Sequence, residues 1–187
     1  MNPITHLLAS WTVGEASRLE DDRDRALVAW AGAAPDLDGL GAVADVAARA
    51  LGWGDPGLYA RFHHVLLHGL PGALFLAAGA MALARRRWRV FGWAVLAVHI
   101  HLVCDVLGSR GPERGDFWPV HYLAPVSDAL TVSWRGQWRL DAWPNLAFTG
   151  LLIAFVFVRA ATAGRSPVSL VSRRGNEAFV RAVRRRE

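Results

Sequence analysis

The sequence predicts an all-α, membrane-embedded helical bundle with about three long transmembrane helices and short helices ahead of them. Three observations lead there. Apolar residues make up 53% of the 187 residues and charged residues 20%, against roughly 25% charged in soluble domains. Three apolar runs, 65–84, 90–107 and 145–163, approach the ~20 residues a helix needs to cross a bilayer. Arginines crowd the ends of these runs, at Arg85–Arg86–Arg87 with Arg89 and in the tail at Arg173–Arg174 and Arg184–Arg185–Arg186, the placement typical of cytoplasmic membrane flanks.

In chain order, residues 4–16 read as a short amphipathic helix with Leu7, Leu8 and Trp11 on one side and Pro3 in its first turn. Residues 17–25, rich in Asp, Glu and Arg, read as a solvated connection. The apolar segment 26–34 is too short to span and stops at Pro35. Pro35-Asp-Leu-Asp38-Gly39 follows; on extended backbone, Asp36 and Asp38 point the same way and face one site. Residues 41–51 form a small helix, and Gly52–Gly57 is rich in turn formers. The first long helix covers 65–84, the second 90–107. Between 109 and 144 the chain is polar, Gly/Pro-rich and studded with tryptophan, a loop at the membrane interface. The third long helix runs from Asn145 to about Ala163. A single membrane-associated domain is expected over 1–163, with a basic, flexible tail over 164–187.

The formal net charge is +5 and every basic side chain apart from histidine is arginine. Because the arginines flank apolar runs, the implied partner is the lipid bilayer and not nucleic acid. The single cysteine, Cys104, lies in an apolar run and excludes an intrachain disulfide. The N-terminus lacks a basic, cleavable leader pattern, so the chain's own helices are expected to direct insertion. With three spans, the arginine turn and the tail face the cytoplasm and the polar residues gather near the other face.

His101 and Asp105, four apart inside an apolar helix, project from one face. Buried there, an imidazole and a carboxylate are costly unless they are paired or hold a metal. The other candidates are His6, Asp36, Asp38, His63, His64 and His68. Imidazole and carboxylate together suit Zn, with Mn and Fe as alternatives, and a carboxylate shared by two ions suits phosphoester hydrolysis. His99 faces away from His101 and reads as an ordinary core or interface histidine.

These motifs resemble the LexA-binding, inner-membrane-associated metal-dependent hydrolase family. The resemblance lies in four features in order: His6 in a short helix, Pro35-Asp-Leu-Asp38, His63 and His68 where the family reads His-Arg-x-x-Thr-His-Ser, and His101-Leu-Val-Cys-Asp105 followed by Gly111 and Trp118-Pro119. It covers residues 3–120 well. His64 and Gly69 stand where the family pattern has Arg and Ser. The ligand order is also similar to that of zinc-dependent phospholipase C. That likeness implies one metal on His6 and Asp105, and a second on Asp36 or Asp38, His63, His101 and Asp105. Helical spacing alone pairs His64 with His68, whereas the family resemblance picks His63 and His68; the expected order is His63, then His68, then His64. The later His-x3-Glu of that group is missing, with His121 and Asp128 only loose substitutes.

The expectation is therefore a multi-pass inner-membrane, metal-dependent hydrolase. Its metal ligands are drawn from His6, Asp36, Asp38, His63, His68, His101 and Asp105, and Asp36 and Asp38 serve as catalytic carboxylates. It holds one or two divalent ions, Zn first, and acts on a small-molecule or lipid phosphoester, with Arg110 or Arg114 near the substrate's charge. The alternative is a non-catalytic membrane protein passing metal ions or protons through the same cluster. A haem-binding bundle ranks last, because it leaves the three aspartates without a purpose.

Overall fold

The computed structural model describes residues 1–63 and 65–185; His64 lies outside them. The chain divides into two units, Met1–Leu140 and Asp141–Glu187.

The first unit is helical apart from its last segment. Helix α1 (Pro3–Ala16) starts where the Asn2 side chain accepts a hydrogen bond from the Thr5 N–H at 2.9 Å and Pro3 occupies the first turn. Helix α2 (Asp22–Ala33) is capped by Asp21, and Asp22 and Asp24 favour the positive end of its dipole. A 3-10 helix (Ala34–Leu40) leads into α3 (Gly41–Ala50) and the short α4 (Leu58–Phe62). Helices α5 (Leu70–Leu83) and α6 (Arg87–Gly108) follow. A core of Val13, Leu19, Val28, Ala31, Ala77, Ala80, Ala84, Val90, Ala94 and Ala97 joins α1, α2, α5 and α6.

Small residues let these helices approach closely. A Cβ on Gly32 would sit 2.5 Å from Ser10 Oγ and 2.7 Å from Ala97 Cβ, so α1, α2 and α6 meet there without spare room. Gly32→Ala is therefore expected to destabilise the protein by about 1–3 kcal/mol through overpacking. A lowered thermal midpoint checks this; an unchanged one would contradict the tight crossing.

Two sequence expectations need correction here. The stretch 17–25 is not wholly a solvated connection. Asp24 is fully buried, and its two oxygens accept the backbone N–H groups of Arg85 and Arg86 at 2.9 Å each. It thus pins the α5–α6 turn to the start of α2, a pairing too distant in sequence for local pattern to reveal. Asp24→Ala leaves both N–H groups without their acceptor and is expected to cost about 2–4 kcal/mol. Chemical denaturation measures it, and a loss under 1 kcal/mol would contradict the pinning.

The second correction concerns the number of long helices. Among the described residues, two helices, not three, are long and apolar enough to cross a membrane: α6 and, in the second unit, α7 (Trp143–Ala163). Helix α5 has 14 residues, a length of roughly 21 Å against a hydrocarbon core of about 30 Å. Residues 65–69 are apolar enough to prolong it but are held out of the helix. Gly69 is extended, and the Leu70 N–H donates to the Tyr122 carbonyl at 2.7 Å. A Cβ on Gly69 would lie 2.8 Å from that same oxygen.

The segment after α6 is mostly loop, as its composition implies, but it contains a small antiparallel pair, β1 (Val120–His121) with β2 (Thr131–Val132). Gln137 ties it to the end of α6. Its amide donates to the Asp105 carbonyl at 2.7 Å and its carbonyl accepts the Trp118 N–H at 2.9 Å.

In the second unit, α7 begins with Pro144 in its first turn and ends at Gly164, whose left-handed conformation (φ 65°) suits glycine at a helix C-terminus. Within the basic tail, residues 173–184 form α8 (Arg173–Arg184), capped by Ser172. Its Phe179 ring lies 5.7 Å from that of Phe157 on α7.

Candidate metal centre

The seven sequence-predicted residues converge at one end of α6, each delivered by a different local device. His6 comes from the second turn of α1 and is buried. His101 and Asp105 come from consecutive turns of α6, both buried. The two aspartates of Pro35-Asp-Leu-Asp38 lie on the 3-10 helix and not on extended backbone. At about 120° per residue, positions two apart diverge, so Asp36 and Asp38 face different partners. This corrects the expectation that they share one direction. Asp36 Oδ2 lies 3.0 Å from His6 Nδ1, whereas Asp38 meets His63 and His68.

Asp38 is a hydrogen-bond hub. Its Oδ1 accepts from His63 Nδ1 at 2.8 Å and its Oδ2 from His68 Nδ1 at 2.9 Å. His63 caps the end of α4 with extended backbone, and His68 sits in the non-helical run before α5. Freed from helical geometry, histidines five apart reach one carboxylate. It is His68, fully buried, that meets His101 and Asp105.

The tautomers follow from the partners. The Gly32 carbonyl accepts from His101 Nδ1 at 2.9 Å, and the Asp38 carboxylate accepts from His68 Nδ1. Both acceptors require N–H on Nδ1, so in the neutral imidazoles each Nε2 carries a lone pair. These two Nε2 atoms face each other at 3.2 Å. Asp105 Oδ2 completes a triangle with them, 3.3 Å from His101 Nε2 and 3.6 Å from His68 Nε2. Tetrahedral zinc with ligands at ~2.0–2.2 Å separates those ligands by roughly 3.3–3.6 Å. The triangle has the size of one face of such a tetrahedron.

A second group, His6, Asp36 and His101, also has ligand atoms within reach of one ion. Asp36 Oδ1 lies 3.7 Å from His101 Nε2, and His6 Nε2 lies 3.2 Å from Asp105 Oδ1. Among the described residues, buried His6 Nε2 and Asp105 Oδ2 have only the ring-to-carboxylate contacts at 3.2 and 3.3 Å and no well-aligned hydrogen bond, an arrangement that a bound cation suits. The residues therefore fit a divalent ion on N and O donors. The trio Asp38, His63 and His68 is also within range of one ion, but its 2.8 and 2.9 Å contacts are occupied by imidazole protons.

Charge is balanced around the acids. The Met1 ammonium lies 2.5 Å from both Asp105 Oδ1 and Ser109 Oγ. Burial disfavours the His6 imidazolium, yet the carboxylates of Asp105 and Asp36 outweigh it and raise its pKa. Burial pushes the Asp36 carboxyl up, but the hydrogen bond with His6 prevails and holds it below the usual range. Asp38 is held well below that range against its own burial, by hydrogen bonds from His63 and His68.

The centre opens into a cavity of about 410 Å³ whose wall includes Asp36, Asp105, Ser109, His63, Leu40 and Trp118. Tyr59 also lines it, stacked on His63 with ring centroids 4.4 Å apart. Among the described residues, the lining contains no arginine, so Arg110 and Arg114 are not placed against it. His99 stays outside, between the Val95 carbonyl at 2.7 Å and the Tyr122 hydroxyl at 2.9 Å. Sequence reasoning missed Tyr59, Ser109, Gln137 and the Gly32 carbonyl. Only Ser109, four residues after Asp105 and hydrogen-bonded to it at 2.6 Å, carried a local signal.

No curated protein and no solved structure matches the chain. The family model described as YdjM inner membrane protein matches residues 1–174, which include every element of the centre and both long apolar helices. The chain therefore belongs to the YdjM inner membrane protein family.

Proposed function

We propose that this membrane protein is a metal-dependent hydrolase acting on a phosphoester at the inner membrane, with His68, His101 and Asp105 as the principal ligands and Asp36 and His6 completing the set. One observation carries the reading: two buried imidazole lone pairs and a carboxylate oxygen stand 3.2–3.6 Å apart, with the protons of both imidazoles already committed elsewhere. Neutral lone pairs held so close repel one another unless a cation lies among them.

A divalent ion, when bound, supplies Lewis acidity and lowers the pKa of water. The chain's own residues do the rest. Asp38, with its side chain fully buried, fixes the rings of His63 and His68. Asp36, whose side chain is 21% exposed and which lines the cavity, is the carboxylate positioned to take a proton from a nucleophile. Leu40, Tyr59 and Trp118 present an apolar wall to a substrate.

A panel of phosphomonoesters, phosphodiesters and phospholipids, assayed with the purified protein loaded with Zn or Mn, tests the proposal. Hydrolysis that falls at least ~100-fold in Asp36→Asn, within the range a general base contributes, supports it. A metal-loaded protein inactive across the panel would overturn the hydrolase reading and favour passage.

A further inference from the structure

We infer that the second unit binds an anionic phospholipid, with an acyl chain in the groove between α7 and α8 and the headgroup phosphate on the α8 arginines. The inference is independent of the metal centre.

The argument starts with charge. Residues 164–187 carry seven arginines against two glutamates, an excess that equals the net charge of the whole chain, +5. Arginines within about 15–20 residues of a span orient that end toward the cytoplasm, and Arg165, Arg173, Arg174 and Arg181 all lie in that interval after α7. The leaflet there is anionic and attracts such segments.

The helix accounts for Arg181 and Arg184, which lie in its last turn, Arg181 also 3.9 Å from Glu177, but not for Arg173 and Arg174. Arg173 and Arg174 form the first turn of α8, which holds no acid. Cations at a helix N-terminus oppose the macrodipole, so helix stability alone disfavours them. An external anion resolves the conflict. Arg173, Arg174, Arg181, Arg184 and Arg185 are all exposed. Arg184 is also held in place, its Nε donating to the Ala161 carbonyl at 3.0 Å near the end of α7.

The apolar side of α8 supplies the second half of the site. Phe179, Val180 and Val183 share one side of α8, with Arg174, Arg181 and Arg185 on the other, and Val180 is buried. A cavity of about 490 Å³ is lined by Phe157 of α7 and by Phe179, Ala182 and Val183 of α8. Its lining side chains are hydrocarbon, its α7 wall belongs to an apolar helix long enough to span, and Ala182 and Val183 of its wall are flanked in sequence by Arg181 and Arg184. An acyl chain below a phosphate suits that combination; a nucleic acid or a free phosphate suits only the arginines.

Native mass spectrometry of the full-length protein in neutral detergent provides the test, with phosphatidylglycerol titrated against phosphatidylcholine. The wild type is expected to prefer phosphatidylglycerol by at least about tenfold. Arg181→Gln/Arg184→Gln/Arg185→Gln should abolish the preference, and the corresponding triple lysine variant should retain most of it. Phe179→Ser should weaken retention of both lipids. If the glutamine variant does not fold, Arg173→Gln/Arg174→Gln at the other end of the helix is expected to reduce the preference several-fold. Equal retention of the two lipids by the wild type would overturn the inference. So would full competition by glycerol phosphate or inorganic phosphate, or displacement of the lipid by a DNA duplex.

Discussion

Asp105→Asn is expected to abolish tight binding of a divalent ion. Asp105 Oδ2 closes the triangle with His68 and His101, and its Oδ1 lies 3.2 Å from His6 Nε2 of the second group. Asparagine keeps the shape but removes the charge, and its amide nitrogen offers no lone pair for a cation. The fall in affinity should exceed the roughly 10–100-fold typical of losing an outer partner of a metal ligand. Elemental analysis and titration against a competing chelator measure it. Asp24→Ala is the control, since it destabilises the fold from a site remote from the centre and should leave the metal stoichiometry of the folded protein intact. If Asp105→Asn retained metal at wild-type affinity, the assignment of Asp105 would be wrong.

Asp38→Asn should produce the next largest effect, and for a different reason. Asp38 accepts hydrogen bonds from both His63 and His68. Asparagine has one carbonyl oxygen and one amide donor, so one of the two Nδ1–H groups would meet another N–H. If His68 is the one displaced, its proton moves to Nε2 and points at His101 Nε2, now 3.2 Å away. The lone pair offered to the ion is then gone. The expected loss of metal affinity is about 10–100-fold, smaller than for Asp105→Asn, with helix content retained by circular dichroism. An affinity equal to that of Asp105→Asn would mean that Asp38 itself ligates. No loss at all would mean that the imidazole tautomers do not depend on it.

Much of the helical order was legible because apolar length and capping residues act locally. Asn2-Pro3 and Asp21 start α1 and α2, and the uninterrupted apolar runs make α6 and α7. The run from 65 to 84 was misjudged because hydropathy ignores long-range competitors. Asp38 takes the His68 ring and the Tyr122 carbonyl takes the Leu70 N–H, so the helix starts only at Leu70. Asp24 was misread in the same way, its partners being 61 and 62 residues away. Within the centre, chemistry and spacing were enough to nominate residues that the fold gathers. Spacing could not separate Asp36 from Asp38, because that separation arises from the 3-10 turn. Nor could it set His68 against His63, because the order depends on which ring reaches across to α6.

The most direct measurement is X-ray absorption at the edge of the metal bound to the purified wild-type protein, together with its stoichiometry. The account predicts at least one divalent ion per chain, bound by nitrogen and oxygen at about 2.0–2.2 Å with an imidazole signature. It predicts no sulfur ligand, since Cys104 is buried outside the ligand groups. A protein that binds no divalent ion tightly, or one whose ion is held by sulfur, would contradict it.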